Sequence, residues 1–369
     1  MFDELLKTVC LKISTVRSMI KINDQLRKIV FQDSLDIKKL KENPEFATLI
    51  EVISSKQEWR IYDRSAVVTR LYAIYERFVE DLISDWLGLI PDLVPCYSDL
   101  GTNIQNTHRE GIGRLLIDIK KNRFKHLSVE KVVQGLSCGI TDTGKYELLP
   151  DAFLLHEQNL RKEVLETVLR NAGIDEAWKW VTNHKEMKYF VEEIRGRQNT
   201  AEGELKQLVD YRNEAAHGSK DQVLGTQELL DLSDFVEALC KSLADLVTYN
   251  IIILQAKQEV VREIGIITEW FKKPKAGVAK VKEVTLTVGE SVFLVLVNDQ
   301  LSYCYSAKIE SIQLNDISQN LVAITSEAEV GLKFDRDTRV DLTIYVTTSD
   351  QLDSIFPSYE GRSPFPAKN

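Results

Sequence analysis

From Leu5 to Val30 apolar residues recur at three- and four-residue steps, with Lys and Asp between them. That spacing collects them on one face and predicts a surface-packed helix. From Arg64 onward the stripe widens: Val67, Val68, Leu71, Ile74, Tyr75, Phe78, Val79, Leu82, Ile83 and Trp86, ending near Gly88 and Pro91. One neighbour would not cover so broad a face, so this helix is expected at the centre of a bundle. The stretch from Cys96 to Thr143 is mixed, with short helical pieces. Leu154 to Ala172 and Ile174 to Asn183 read as a helix pair broken at Gly173. Asn199-Thr200-Ala201-Glu202 resembles a capping box and opens a helix expected to run to Gly218. Glu228 to Val260 is a further long amphipathic helix through Leu232, Phe235, Val236, Leu239, Leu243 and Val247.

The period then changes. Trp270 to Gly277 has the Pro, Gly and charge of a linker. After it come short β-rich runs separated by turn residues: Val284 to Val288, Ser291 to Val297, Leu301 to Ile312, Asn320 to Ile324, Val330 to Phe334 and Val340 to Val346. The expected organisation is mainly α, with an N-terminal helical extension (1–59), a helical bundle domain (60–262), a linker (263–282), a small all-β barrel or sandwich (283–349) and a loose tail (350–369).

Composition changes this picture little. The apolar share is 44% and Gly and Pro are few, as in a globular chain. The longest apolar run, near Tyr249 to Leu254, is too short to span a bilayer, and Met1 leads into an acidic amphipathic stretch rather than a secretory signal. The five cysteines are scattered without a C-x-x-C pair, so neither disulfides nor zinc are indicated and a reducing cytoplasm is expected. No phosphate-binding glycine loop, H-E-x-x-H or G-x-S-x-G motif occurs. A net charge of −9 argues against a protein that coats phosphate backbones, so any nucleic-acid site needs local positive charge. The densest basic cluster of the helical part is Lys120, Lys121, Arg123, Lys125 and His126, with Phe124 among them.

Chemistry concentrates in the helix from Thr200 to His217. On a wheel of about 100° per residue, Leu205, Leu208, Val209, Ala215 and Ala216 share a stripe, and Arg212 falls near its middle. Asn213 and His217 stand one turn apart on its flank. A guanidinium aimed at a core is costly unless it meets a carboxylate or a phosphate. Residue types alone leave two readings open: Arg212 pairs with a buried acid such as Glu76 while His217 serves as a helix C-terminal cation, or both belong to a site.

Arg212-Asn-x-x-x-His217, late in a helix of an all-α domain, resembles the R-x4–6-H motif of the HEPN ribonucleases. Val67 to Glu80, with its Leu-Tyr-Ala-Ile-Tyr-Glu core, is similar to the first long helix of the RiboL-PSP-HEPN (MAE-type) branch found in prokaryotic defence loci. The resemblance covers about residues 60–255. It implies a metal-independent endoribonuclease without cofactor, acting as a toxin or abortive-infection effector. His217 would be acid or base at the ribose 2′-hydroxyl or the 5′ oxygen, Arg212 would bind the scissile phosphate, Asn213 would bond the phosphate or orient the His, and Glu76 would hold Arg212 or His217. One motif per chain implies a homodimer with a composite site, RNA as substrate, and an inhibitory or trigger-sensing protein partner. Lys120, Lys121, Arg123 and Lys125 would extend the RNA path, with Phe124 stacking on a base; the other reading of that cluster is a solvated face. Position 219 is Ser, where one branch of the family carries a Tyr modified by a nucleotidyltransferase. A catalytically silent HEPN dimerisation or RNA-binding module in a defence complex is the alternative, and an unrelated helical interaction protein is a third.

Overall fold

The computed structural model describes residues 2–31, 43–45, 48, 52–53, 55–155, 158–217 and 224–348. The first helix, α1 (Asp3–Phe31), buries Val9, Ile13, Val16 and Ile20 and lies along both α2 (Lys56–Leu93) and α10 (Thr226–Lys257). Ion pairs fasten it on both sides: Arg17 to Asp234 and, at 2.6 Å, to Glu237 of α10; Arg27 to Asp63 of α2. This helix, which opens the N-terminal helical extension expected for residues 1–59, packs as part of the bundle.

The central position expected for the second helix is what α2 has. Ser55 caps it, its side chain accepting from Glu58 N–H at 3.1 Å. Its apolar residues from Val67 to Ile90 are nearly all buried against α1, α9 (Ala201–His217) and α10. Each such side chain contributes about 1.5–3 kcal/mol, so the stripe is the main cohesive surface of the bundle. The helix passes Gly88 and Pro91 to end at Leu93, since a proline in the last turn deletes only one of its final hydrogen bonds. Beyond it run α3 (Thr102–Asp118), α4 (Val129–Thr141), the single turn α5 (Pro150–Phe153), α6 (Lys162–Asn171), α7 (Ala177–Asn183) and α8 (Lys185–Tyr189), the last continuing into a π turn.

Two local expectations shift. The helix expected from Leu154 starts only at Lys162; Gly173, at φ +84°, breaks the chain after it as foreseen. At the start of α9 the cap is Thr200, whose hydroxyl accepts from Gly203 N–H at 3.1 Å. Asn199 instead bonds Glu204, and Arg195 pairs with the same carboxylate at 2.6 Å.

The C-terminal part is an antiparallel barrel. Its strands are β1 (Val261–Phe271), β2 (Ala276–Val281), β3 (Val284–Thr287), β4 (Ser291–Val297), β5 (Ser302–Leu314), β6 (Ile317–Gln319), β7 (Leu321–Ile324), β8 (Ala328–Phe334) and β9 (Thr343–Thr347). The order β4-β9-β1-β2-β8-β5 closes through β4–β5 pairing, while β3 and β7 form a separate ribbon. Residues 263–282, expected as a linker, are the β1–β2 hairpin, and the Lys-Lys-Pro-Lys run is its tip, with Phe271 paired to Ala276. Gly265 sits where β1 shifts register, and a Cβ there would lie 1.9 Å from Lys280 O. The barrel is packed against the bundle: Val261, Phe293, Val295 and Cys304 join the helical core. The tail 350–369 lies outside the described residues. Among the described residues no helix is long and apolar enough to cross a membrane.

Candidate active site

The contact between α2 and α9 brings Arg212 of the motif against Tyr72. Arg212 stands at the end of the buried Leu205, Leu208, Val209 stripe, where α9 begins to emerge from the core, so it is half-buried rather than sunk in the core. Its guanidinium carbon lies 5.2 Å from the centre of the Tyr72 ring, within cation–π range. Its Nη1 donates to Asn213 Oδ1 at 3.2 Å, and Asn159 Nδ2 donates to the same oxygen at 2.9 Å. The Asn213 carbonyl is thus occupied, which turns its amide NH₂ to other acceptors. No carboxylate among the described residues forms an ion pair with Arg212.

Glu76 does not hold Arg212 directly. One helical turn from Tyr72, it accepts the phenol hydroxyl at 3.0 Å, so the tyrosine stands between acid and guanidinium. The Tyr72 hydroxyl also accepts from Leu160 N–H at 3.0 Å, and Tyr75 donates to Leu160 O at 3.1 Å. Burial drives the Tyr72 phenol well above its ordinary pKa, with Glu76 adding to the shift and Leu160 N–H and Arg212 opposing it. It is a fixed neutral donor at any working pH. Arg161, next in the chain, pairs with Asp210 of α9 at 2.8 Å. Residues 159–161 therefore strap the two helices together beside Arg212.

The helix carries the backbone to His217, four residues and one turn beyond Asn213. The His217 side chain and Gly218 to Val223 lie outside the described residues.

Lys120, Lys121, Arg123 and Lys125 are exposed, around a single 3₁₀ turn after α3. Phe124 corrects the expectation of a stacking aromatic: it is 1% exposed, a core residue with Arg123 lying 4.5 Å over its ring. Lys121 is spanned by Asp118 at 2.7 Å. The cluster offers charge without a stacking platform.

A sequence model of one family, RiboL-PSP-HEPN, matches residues 17–249. The match takes in well over half of the chain, from the middle of α1 to the last turns of α10. The chain belongs to the RiboL-PSP-HEPN family. The family span includes the second half of α1, in keeping with its packing, and stops before the barrel. No curated protein matches the chain. One solved structure is similar over a small part: the C-terminal domain of a Geobacillus thermoleovorans protein assigned to the U32 peptidases. It is 12% identical, covers 22% of this chain and 96% of its own, and has a TM-score of 0.19, a likeness that carries no argument.

In this HEPN domain the residues missed from sequence are Tyr72 and Asn159. Tyr72 was visible only as one more aromatic on an apolar helix, although its i,i+4 spacing to Glu76 marks a pair that can bond along the helix. Asn159 lies in an irregular stretch with no periodic signal.

Proposed function

We propose that this HEPN protein is a metal-independent endoribonuclease. The observation that carries the reading is Arg212, a half-buried cation fixed by Tyr72 and Asn213, paired with no described carboxylate, five residues before the helix position of His217. A guanidinium held in this way keeps N–H donors that meet no described acceptor and suit a bidentate contact with phosphate.

RNA brings its own nucleophile. The 2′-oxygen attacks phosphorus, a base takes the 2′-hydroxyl proton, and the P–O5′ bond breaks as an acid protonates the departing oxygen. The products are a 2′,3′-cyclic phosphate and a 5′-hydroxyl. Arg212 and the Asn213 amide stabilise charge on the non-bridging oxygens, which is worth most in a site that excludes water. Imidazole titrates near ~6.5, which suits both proton transfers at neutral pH. A single His217 serves only one side of the phosphorus, so a second copy of the chain supplies the other, in a homodimer with the two motifs face to face. The family's place in prokaryotic defence supports a toxin or abortive-infection role, with a protein partner that restrains or triggers the enzyme.

The test is incubation of the purified full chain with RNA in EDTA, with end-group analysis. Cleavage that survives chelation, leaves cyclic phosphate ends and disappears in His217→Ala is the expected result. A dimer that binds RNA and never cuts it would make the chain a silent HEPN module instead. A monomer in light scattering that still cleaves would overturn the composite site.

A further inference from the structure

One end of the barrel gathers the β1–β2 tip, the β4–β5 turn and the β8–β9 connection, as the pairings Phe271 to Ala276, Val297 to Ser302 and Ile309 to Phe334 require. Tyr303 and Tyr305 alternate with Cys304 along β5, so that Cys304 faces the helical core and the two tyrosines turn toward the barrel interior at this end. Three cations converge on their rings. Lys185 Nζ of α8 lies 5.1 Å from the Tyr303 centre and 4.7 Å from the Tyr305 centre. Arg336 lies over Tyr305 and Arg339 over Tyr303, each at 5.6 Å.

The same place holds a concentration of unused donors. Tyr305 is 7% exposed and Thr338 8% exposed; the two hydroxyls lie within reach of each other and meet no further partner among the described residues, and the buried Nε–H of Arg339 meets none. Buried polar groups in folded proteins are almost always satisfied, so a hydroxyl pair with spare donor capacity beside an unpartnered guanidinium N–H leaves room for an outside acceptor. Burial pushes the Tyr305 phenol up to about 12, which keeps it a donor. The surrounding acids are engaged or loosely placed. Asp337 accepts from Trp270 Nε1 at 2.9 Å, Asp335 accepts from Lys308 N–H at 3.0 Å and stands 3.7 Å from Arg336, and Glu186 is 3.8 Å from Lys185. Asp3 acts on Arg336 from α1. Arg339 has no ion pair among the described residues. The exposed hairpin-tip lysines Lys272, Lys273 and Lys275 add positive potential at this end.

We propose that this end of the barrel is a binding site for the phosphate group of a small molecule, held by Lys185, Arg336 and Arg339 with the hydroxyls of Tyr305 and Thr338. All five groups can donate, and the phosphate group of a monoester is an acceptor-only dianion with oxygens to match. The tyrosine faces are already covered by cations, so the recognised part is the phosphate and not a stacked ring. Barrel mouths are common small-ligand sites. Lys185 belongs to the helical domain and the other four residues to the barrel, so the ligand bridges the two. Next to Lys185, His184 bonds Asp245 at 2.9 Å and Ser242 at 3.0 Å, both on α10, so the bridge ends on a helix of the HEPN core.

Calorimetric titration of the full chain with inorganic phosphate, AMP and adenosine tests this. Phosphate or AMP is expected to bind saturably, one per chain, and adenosine not at all. Equal affinity for both anions identifies free phosphate as the ligand; tighter AMP binding identifies a phosphate monoester. Arg339→Gln is expected to weaken binding roughly tenfold or more, as loss of a charge-assisted contact does. The Tyr305→Phe/Thr338→Val double variant, which preserves shape and serves if Arg339→Gln does not fold, is expected to weaken it roughly fivefold or more. Lys131→Ala, at an exposed position of α4, should leave it unchanged. No saturable binding of either anion, or affinities unaffected by the double variant, would overturn the proposal. RNA cleavage is not part of the readout, so the result is independent of the nuclease reading.

Discussion

Arg64 and Arg212 meet tyrosines across the same helix contact, in opposite directions. Arg64 of α2 lies 4.7 Å over Tyr211 of α9, and Arg212 of α9 lies 5.2 Å over Tyr72 of α2. What separates them is charge compensation. Arg64 is 6% exposed and bonds Glu214 at 2.6 Å. Arg212 is half-buried, and its nearest bonded partner is a neutral amide, Asn213. A buried cation must be neutralised in place, so Arg64 belongs to the framework. Arg212 is positioned without a described carboxylate beside it, the arrangement on which the proposed phosphate contact rests. Between the two arginines the difference lies less in residue type than in the partner that each meets among the described residues.

The contrast can be broken experimentally. The largest effect is expected at the site: Arg212→Ala and His217→Ala should each lower RNA cleavage by roughly 10²–10⁴-fold, while urea unfolding shows stability changed by no more than about 0.5 kcal/mol. Arg212→Lys should not restore the rate, since an ammonium lacks the planar fork. Wild-type cleavage by Arg212→Ala would erase the distinction between the two arginines.

His108 provides the histidine counterpart to His217. It is fully buried, with Tyr97 Oη 3.2 Å from Nδ1 and no partner for Nε2 among the described residues, and burial lowers its pKa to about 4. The unfolded chain takes up this proton near ~6.5 and the folded one only near 4. The contribution is therefore complete above about pH 6.5 and is lost as pH falls toward 4, by up to roughly 3 kcal/mol. Denaturant melts between pH 4 and 7 should show this acid limb flattened in His108→Leu. An unchanged limb would assign it to other groups.

Arg64→Ala is expected to cost roughly 1–3 kcal/mol, below the cost of breaking a fully buried pair because Glu214 retains one third of its side-chain exposure. Cleavage per folded molecule should stay near wild type, and a loss as large as that of Arg212→Ala would make both arginines part of the site. The smallest effect is at Tyr72→Phe. The ring under Arg212 remains, but Leu160 N–H loses its acceptor and Glu76 its donor, for about 1–2 kcal/mol in thermal or urea unfolding. No measurable change would mean that water replaces the hydroxyl.

Much of the fold was legible because packing follows period. The α2 stripe, the long α10 and most barrel strands each display their buried positions at helical or alternating spacing. The exceptions have local causes. In β1 the buried Val261, Ile264 and Ile267 are three apart, because register shifts after Glu263 and Ile267 insert extra residues, and that spacing hides a strand. A Lys-Pro-Lys-Ala-Gly run has the same composition in a linker and in a hairpin tip. Leu160 reads as a helical apolar position, but both of its backbone groups are taken by Tyr72 and Tyr75, so no helix forms there. Phe124 looked available for stacking because basic neighbours surround it in sequence; in space the core takes the ring.

The sequence by itself determined the family motif Arg212-Asn213-His217, its place late in a helix, the central α2, and the change from helix to strand. These rest on near-neighbour spacing, which a chain carries wherever it folds. The tertiary structure alone decided which arginine is neutralised, since Arg64 and Glu214 are 150 residues apart. It likewise decided that Tyr72 rather than Glu76 supports Arg212, that the lysine-rich run closes a barrel, and that five donors from the bundle and the barrel share one end of it. Long-range partners come together through packing of whole elements, and no local period encodes which side chains then meet.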